Sequence, residues 1–291
     1  MPGVELIKNA PMAAYTTYRT GGAAEVLALP KNIDELKNIL AFARVHNIET
    51  RVLGLGSNIL VGGRGVKGVT ICLKNMRGLK LEGDTLTANA GEPLDNIAAA
   101  AVNAGLEGME ALSGIPGSAG GAVYMNAGAY GQETFDKLVS FTLLDCEGNI
   151  KILNKSEVKY GYRRVEGLGC QSIILSATWL LAPTQDAAAL KAKRVQVLAQ
   201  RIEKQPLDYP SAGSVFKRPQ NNFASALIDK CGLKGLRAGG AMVSPKHAGF
   251  IINYDKATPE DIKNLMQEVQ TRVLAQTGVK LELEQILWGD F

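Results

Sequence analysis

The sequence predicts an α+β protein built in about three units, and three observations carry that expectation. Segments with apolar residues at helical spacing alternate along the chain with short runs rich in Val, Ile, Leu and Thr. Glycine, 32 of 291 residues, gathers in two clusters that each punctuate this pattern. The last third has its own turns and its own capped helix, as a separate unit would.

Residues 25–29 (EVLAL) read as a short strand stopped by Pro30. Asn32 then caps a helix, with Glu35 three positions on, and Ile33, Leu36, Ile39, Leu40 and Ala43 share one face. A strand at 51–53 runs into the turn GLGSNILVGGRG, and a further strand lies around 69–73. A hairpin over 79–91 turns at Gly83-Asp84, and an alanine-rich helix over 94–104 ends at Gly105. The stretch 114–131 has six glycines in eighteen residues and reads as loop. Strands follow at VSFTLLD, NIKIL and SIILSATWLL, and then a basic helix over about 186–203. Near the end Thr258 caps a helix with Pro259 in its first position. Ile262, Leu265, Met266, Val269 and Val273 line its apolar face, and Gly278 stops it. The closing segment KLELEQILW alternates as a strand does.

Composition narrows the chemistry. A net charge of +4 without a dense basic stripe suits a small anionic ligand and argues against nucleic acid. Cys72, Cys146, Cys170 and Cys231 are far apart with no CxxC pair, as expected of reduced thiols in a cytoplasmic protein. With His46 and His247 the only histidines, no metal is expected. The N-terminal residues form no signal-peptide pattern, and no apolar run is long enough to span a bilayer. No coiled-coil pattern or other sign of an obligate protein partner is present.

Two glycine clusters draw attention. Gly54-Leu55-Gly56-Ser57-Asn58 follows a strand, but the third glycine of a dinucleotide fingerprint would fall on Ile59, and no helix follows. It reads as a tight turn whose amides and small polar groups can face an anion, or as an ordinary turn between strands. In SGIPGSAGGAVYMNAGAYG, residues 113–131, glycine sits beside Ser118, Ala119, Ala122 and Ala129. Such backbone can approach a ligand closely, and Tyr124, Ala127 and Tyr130 can line a flat ring. The pair points to a large dinucleotide held by both turns. Arg163 and Arg164 in YGYRR can hold a carboxylate, although taken alone they read better as surface arginines. Ser214 in GSVFKRP lies in no GxSxG elbow and has no histidine base to serve it, so if it acts chemically it acts as a proton donor. Glu282 and Glu284 alternate with Leu281 and Leu283 and by period alone face solvent. The cations Lys191, Lys193, Arg194, Arg201 and Lys204 mostly form a solvated helix face.

Taken in order, YRTGG (18–22), GLGSNILV, GIPGSAGGAVYMNAGAYG, YGYR, GSVFKRP and LELE resemble the UDP-N-acetylenolpyruvoylglucosamine reductase family, over residues 15–289. The chain is similar to the shorter of that family's two groups, which lacks a substrate-covering tyrosine loop. The resemblance implies the FAD-binding fold of the vanillyl-alcohol-oxidase-like (PCMH-type) superfamily in two lobes, 1–72 and 73–203. A smaller α+β substrate-binding domain would span 204–284, with 285–291 as a C-terminal tail. It implies FAD against Leu53, Gly54, Gly56, Ser57, Asn58, Ile59 and Leu60 of the first turn. In the second cluster it implies Ile115, Pro116, Gly117, Ala119, Gly120, Gly121, Ala122, Tyr124, Asn126, Ala127 and Gly128. NADPH would be the reductant and a UDP-sugar the substrate, with Lys217 and Arg218 toward its diphosphate. Arg163, Ser214 and Glu284 occupy the catalytic positions, Glu284 acting in its protonated form. The family commonly has Val-Arg after that glutamate, whereas this chain has Gln285-Ile286.

Two other readings compete with this one. A covalent-flavin oxidase of the same superfamily would tether its flavin through His or Cys, and neither glycine cluster contains either. A non-catalytic nucleotide-binding module would leave GSVFKRP and LELE without a purpose.

Overall fold

The structure is a computed structural model describing residues 3–168 and 172–291. Cys170 lies outside the described residues, while Cys72, Cys146 and Cys231 are free thiols. Two compact units are present. One takes the described residues up to Ile7, then Leu27–Leu55 and the described part of Val69–Gln200; the other takes Lys8–Val26, Gly56–Gly68 and Arg201–Phe291.

The first unit contains helix α1, Ile33–Val45, whose start is fixed by its cap. The Asn32 carboxamide accepts from the Glu35 amide at 2.9 Å, and the Glu35 carboxylate accepts in return from the Lys31 amide. Leu36, Ile39 and Ala43 are its buried face. Strand Thr50–Leu53 pairs in parallel with Val69–Cys72. A five-stranded antiparallel sheet forms the rest, in the order Ile150–Asn154, Leu138–Leu144, Ile173–Leu180, Thr85–Asn89, Leu79–Glu82. Alternation turns Phe141, Ala177 and Trp179 inward, onto helix α2, Leu94–Asn103, and the short helix α3, Ala119–Tyr124. Trp179 is fully buried, and its indole N–H donates to the Thr134 carbonyl at 3.1 Å, so its one polar atom carries no desolvation penalty. Each large apolar side chain buried in this core contributes about 1.5–3 kcal/mol. Gly83 at φ +57 closes the 79–89 hairpin, and Gly105 at φ +73 ends α2, as the sequence predicts.

Helix α3 differs from the loop expected between Gly114 and Gly131. Two glycines make it a poor helix former, but Ser118 caps it through the Gly121 amide, and Ala119, Ala122 and Val123 bury its inner face. Packing outweighs propensity there.

Helix α4, Ala187–Lys204, also departs from expectation. Its cations are not simply solvated: Lys193 pairs with buried Glu110 at 2.5 Å, and Arg194 with Asp95 at 2.7 Å. Farther along, Arg201 is 5% exposed.

In the second unit helix α6, Pro259–Thr277, begins at the Thr258 capping box and ends at Gly278, φ +71. Ile262, Leu265, Met266, Val269 and Val273 are all buried, in one cluster with residues of the short helix α5, Ala224–Lys230, and of a three-stranded sheet. That sheet is ordered Arg237–Ala238, Ala241–Val243, Ile251–Asn253. The closing segment is not one continuous strand. Leu283 bridges Phe216, whereas Ile286–Trp288 pairs in parallel with Ile59–Val61, so the chain changes partners between the two. Residues beyond 284 are stitched into the unit: the Gly62 amide donates to the Trp288 carbonyl, and the Arg64 guanidinium donates to the Phe291 carbonyl at 2.6 Å.

Candidate active site

Both glycine clusters hold positions where a side chain would not fit, Gly120 and Gly128 in the second and Gly54 and Gly56 in the first. A Cβ on Gly56, at φ +66, would stand 2.1 Å from the Tyr15 carbonyl oxygen. On Gly54 it would stand 2.5 Å from the Ser118 hydroxyl, so in the first unit the first turn closes directly onto the second cluster. Residues 53–60 and 113–128 carry no charged side chain. A diphosphate would therefore meet backbone and hydroxyl dipoles there and no carboxylate, which fits the donor chemistry FAD needs.

The expected cofactor residues divide by burial. Leu53, Ile59, Leu60, Ala119, Ala122 and Asn126 are buried, while Tyr124 is exposed and Gly54, Ser57, Asn58, Ile115, Pro116, Gly117, Gly121, Ala127 and Gly128 are at least partly accessible. Most amides of the second cluster are committed inside the protein: Ile115 donates to the Leu112 carbonyl, Ala119 to the Glu92 carbonyl, Gly120 to the Ala90 carbonyl and Gly121 to the Ser118 hydroxyl, and Pro116 has none to offer.

Arg163 sits on a two-residue hairpin loop, between Tyr160–Gly161 and Arg164–Val165, in the left-handed conformation at φ +54. Its Nη2 donates to the Gly128 carbonyl at 2.9 Å and its Nη1 to the Asn126 carbonyl at 3.3 Å. The Tyr162 ring lies 4.9 Å from the guanidinium. Arg164, its sequence neighbour, is exposed and paired with Glu166. The two arginines thus do not act as a pair.

In the second unit Ser214 and Glu284 are brought onto adjacent segments. Gly213, at φ +74, turns the chain, after which Ser214 bridges Phe250 and the Val215 amide donates to the Gly249 carbonyl at 2.9 Å. On the other edge the Glu284 amide donates to the Val215 carbonyl, and the Lys217 amide to the Glu282 carbonyl, both at 2.8 Å. Ser214 is exposed while Val215 and Phe216 are buried, so the segment is anchored by its neighbours and presents the hydroxyl. Glu284 is half-buried, not the solvated strand residue that period-2 alternation predicts. Lys217 reaches Glu282 at 3.6 Å, and Arg218 lies over the Phe223 ring at 4.5 Å.

Two contacts at this site had no signal in the sequence. The Asn58 side-chain amide donates to the Glu284 carbonyl at 3.1 Å, which ties the first glycine turn to Glu284. Gln285 is 3% exposed. Its Nε2 donates to the carbonyls of Ala212 and Gly213 at 2.9 and 3.2 Å, and its Oε1 accepts from the buried Tyr18 hydroxyl at 2.9 Å. Burial pushes the Tyr18 phenol well up, and the bond to Gln285 only partly offsets this, so the hydroxyl stays a donor. A buried glutamine is informative only once its partners are known.

In the first unit uncharged glycine turns lie beside a guanidinium, and in the second a hydroxyl and a carboxyl stand on constrained backbone, each a feature expected of a nucleotide-cofactor enzyme. Residues 24–154 match the family model described as an FAD binding domain, and the chain is an FAD-dependent oxidoreductase. Residues 205–288 match the model described as the UDP-N-acetylenolpyruvoylglucosamine reductase C-terminal domain. The UDP-N-acetylenolpyruvoylglucosamine reductase of Levilactobacillus brevis is 42% identical over 289 residues, 99% of this chain and 95% of its own. That of Caldanaerobacter subterraneus is 43% identical over 286 residues, 98% of this chain and 94% of its own. The crystal structure of the Thermus caldophilus reductase superposes with a TM-score of 0.84 at 33% identity, covering 98% of this chain and 99% of that one. The chain belongs to the UDP-N-acetylenolpyruvoylglucosamine reductase family.

Proposed function

We propose that this chain reduces the enolpyruvyl group of UDP-N-acetylglucosamine enolpyruvate to UDP-N-acetylmuramate, with FAD as cofactor and NADPH as reductant, in the synthesis of peptidoglycan precursors. Family membership supports the reaction, and one observation in the site carries it: the Glu284 amide bonded to the Val215 carbonyl, which sets a carboxyl and the Ser214 hydroxyl on neighbouring strands. Bound FAD supplies the hydride path from NADPH to the terminal methylene carbon of the substrate. The rest is protein chemistry. Arg163 holds the substrate carboxylate and stabilises the negative charge that moves onto it. Ser214 gives a proton to the adjacent carbon from one face, which is feasible for a hydroxyl because the acceptor is a carbanion. Glu284 acts beside it, on the segment bonded to that of Ser214.

The first glycine turn and the amides of Gly117 and Ser118 hold the cofactor diphosphate in this reading, and Lys217 and Arg218 face the UDP diphosphate. Lobes 1–72 and 73–203 serve the cofactor and 204–284 the substrate; the match beginning at residue 205 supports the last boundary. Among the described residues no helix is long and apolar enough to cross a membrane. The cytoplasm is the compartment that supplies NADPH and nucleotide sugars. The purified protein should show a flavin spectrum that bleaches with NADPH and returns when the enolpyruvyl sugar is added without oxygen. A spectrum that bleaches but does not return with substrate would remove the reaction.

A further inference from the structure

Two hairpins of the first unit meet at a single side chain. Gly128–Ala129 pairs with Gln132–Glu133, and Tyr160–Gly161 with Arg164–Val165. Asn126, fully buried and left-handed at φ +40, lies beside both. Its Nδ2 donates to the Glu133 carboxylate at 2.7 Å and to the Gly161 carbonyl at 3.1 Å, while its Oδ1 accepts from the Phe135 amide at 3.1 Å. The carboxamide thus has both donor hydrogens and its oxygen engaged, with two separate segments of the chain, 133–135 and 161. Asparagine tolerates that backbone conformation better than most residues, and no other side chain offers the same donors and acceptor at this reach.

The arrangement converges on Arg163 from two directions. Gly161, two residues before Arg163, is gripped by the Asn126 side chain, and the guanidinium is gripped by the carbonyls of Asn126 and Gly128. Root and head of one long side chain are therefore both referenced to residue 126. An arginine with four rotatable bonds holds a fixed bidentate geometry only if its surroundings remove that freedom. A residue that served only to staple a loop would need one of these contacts, not both. We propose that Asn126, locked by Glu133, is the positioning residue for Arg163, setting where its guanidinium meets the substrate carboxylate. The role rests on Arg163 holding that carboxylate.

The test uses flavin-loaded enzyme and measures the KM for the enolpyruvyl sugar separately from flavin reduction by NADPH. Glu133→Gln keeps an oxygen for Asn126 and should leave both near the parent values, while Glu133→Ala should raise the KM about tenfold with flavin reduction changed by less than about twofold. Asn126→Asp sets two carboxyl groups together and should raise the KM further. Adding Glu133→Gln to Asn126→Asp re-forms the bond with donor and acceptor exchanged, and should recover much of that loss. The proposal is overturned if Glu133→Ala leaves the KM unchanged, if KM and flavin reduction fail in equal proportion, or if the double variant recovers nothing. Arg163→Met separates this from the role of Arg163 itself. If Arg163→Met raises the KM and Glu133→Ala does not, only the positioning role falls; if Arg163→Met leaves the KM unchanged, carboxylate binding by Arg163 falls with it.

Discussion

Arg163 in the first unit and Ser214 in the second are polar side chains on tight turns, each at or next to a left-handed residue, yet they are fixed by different means. Arg163 is held at its head by carbonyls and at its root by the Asn126 side chain. Ser214 is held by backbone: its segment bonds to residue 249 on one edge and to residues 282 and 284 on the other. A long flexible cation needs side-chain partners to have one position, whereas a short hydroxyl has nearly the position its Cα dictates. The first unit should therefore be sensitive to substitutions around its candidate catalytic residue, and the second to substitution of the candidate itself.

The largest effect should come from Ser214→Ala. With Ser214 in a backbone ladder, the variant should fold and load flavin as the parent does, and NADPH should bleach it at the parental rate. Reoxidation by substrate should fall by about 10²-fold or more, about 2.7 kcal/mol of barrier. Stopped-flow absorbance separates the two steps, and equal losses in both would break the comparison, because the serine would then be supporting structure.

The Gln285 side chain grips the Ser214 turn through the Ala212 and Gly213 carbonyls, and it sharpens the contrast. Gln285→Leu strands a buried phenol and two carbonyls, and should cost about 2–3 kcal/mol of stability by denaturant unfolding. Adding Tyr18→Phe removes the orphaned hydroxyl and should return about 1 kcal/mol. Reoxidation in both variants should stay within about threefold of the parent if the ladder alone places Ser214. A collapse of reoxidation would show that the second unit also depends on a side-chain brace.

What could be read from the sequence follows the same division between local and distant partners. The caps at Asn32 and Thr258, the apolar face of α6 and the stops at Gly105 and Gly278 are legible because their physics lies within a few residues. The candidate residues Arg163, Ser214 and Glu284 stand out through motif order. Their supports do not: Asn58 meets Glu284 across 226 residues, and Tyr18 meets Gln285 across 267. Asn126, expected at the cofactor, spends its side chain on Glu133, Gly161 and Phe135. The alternation in KLELEQILW is real, but alternation cannot say that the strand changes partner midway.

The smallest effect concerns acid, and it compares the units directly. In the first, burial raises the Glu110 carboxyl, but the bonds from Lys193 and the Gly108 amide outweigh it, so its pKa lies below the usual value. In the second, burial likewise raises Asp261, and the amides of Thr258 and Gly240 outweigh it. Both groups bind fewer protons folded than unfolded below about pH 4.3, so each contributes stability that is complete above that pH and is lost as pH falls through the folded pKa. Glu110→Gln should therefore flatten the fall in melting temperature on acidification, and so should Asp261→Asn. Salt distinguishes them. The Lys193 end of the first pair is more than half exposed, so salt should shrink the Glu110 effect, whereas amide bonds at a helix start carry no mobile counter-charge and the Asp261 effect should persist. Equal salt sensitivity would mean that the first unit's ties behave as backbone ties do.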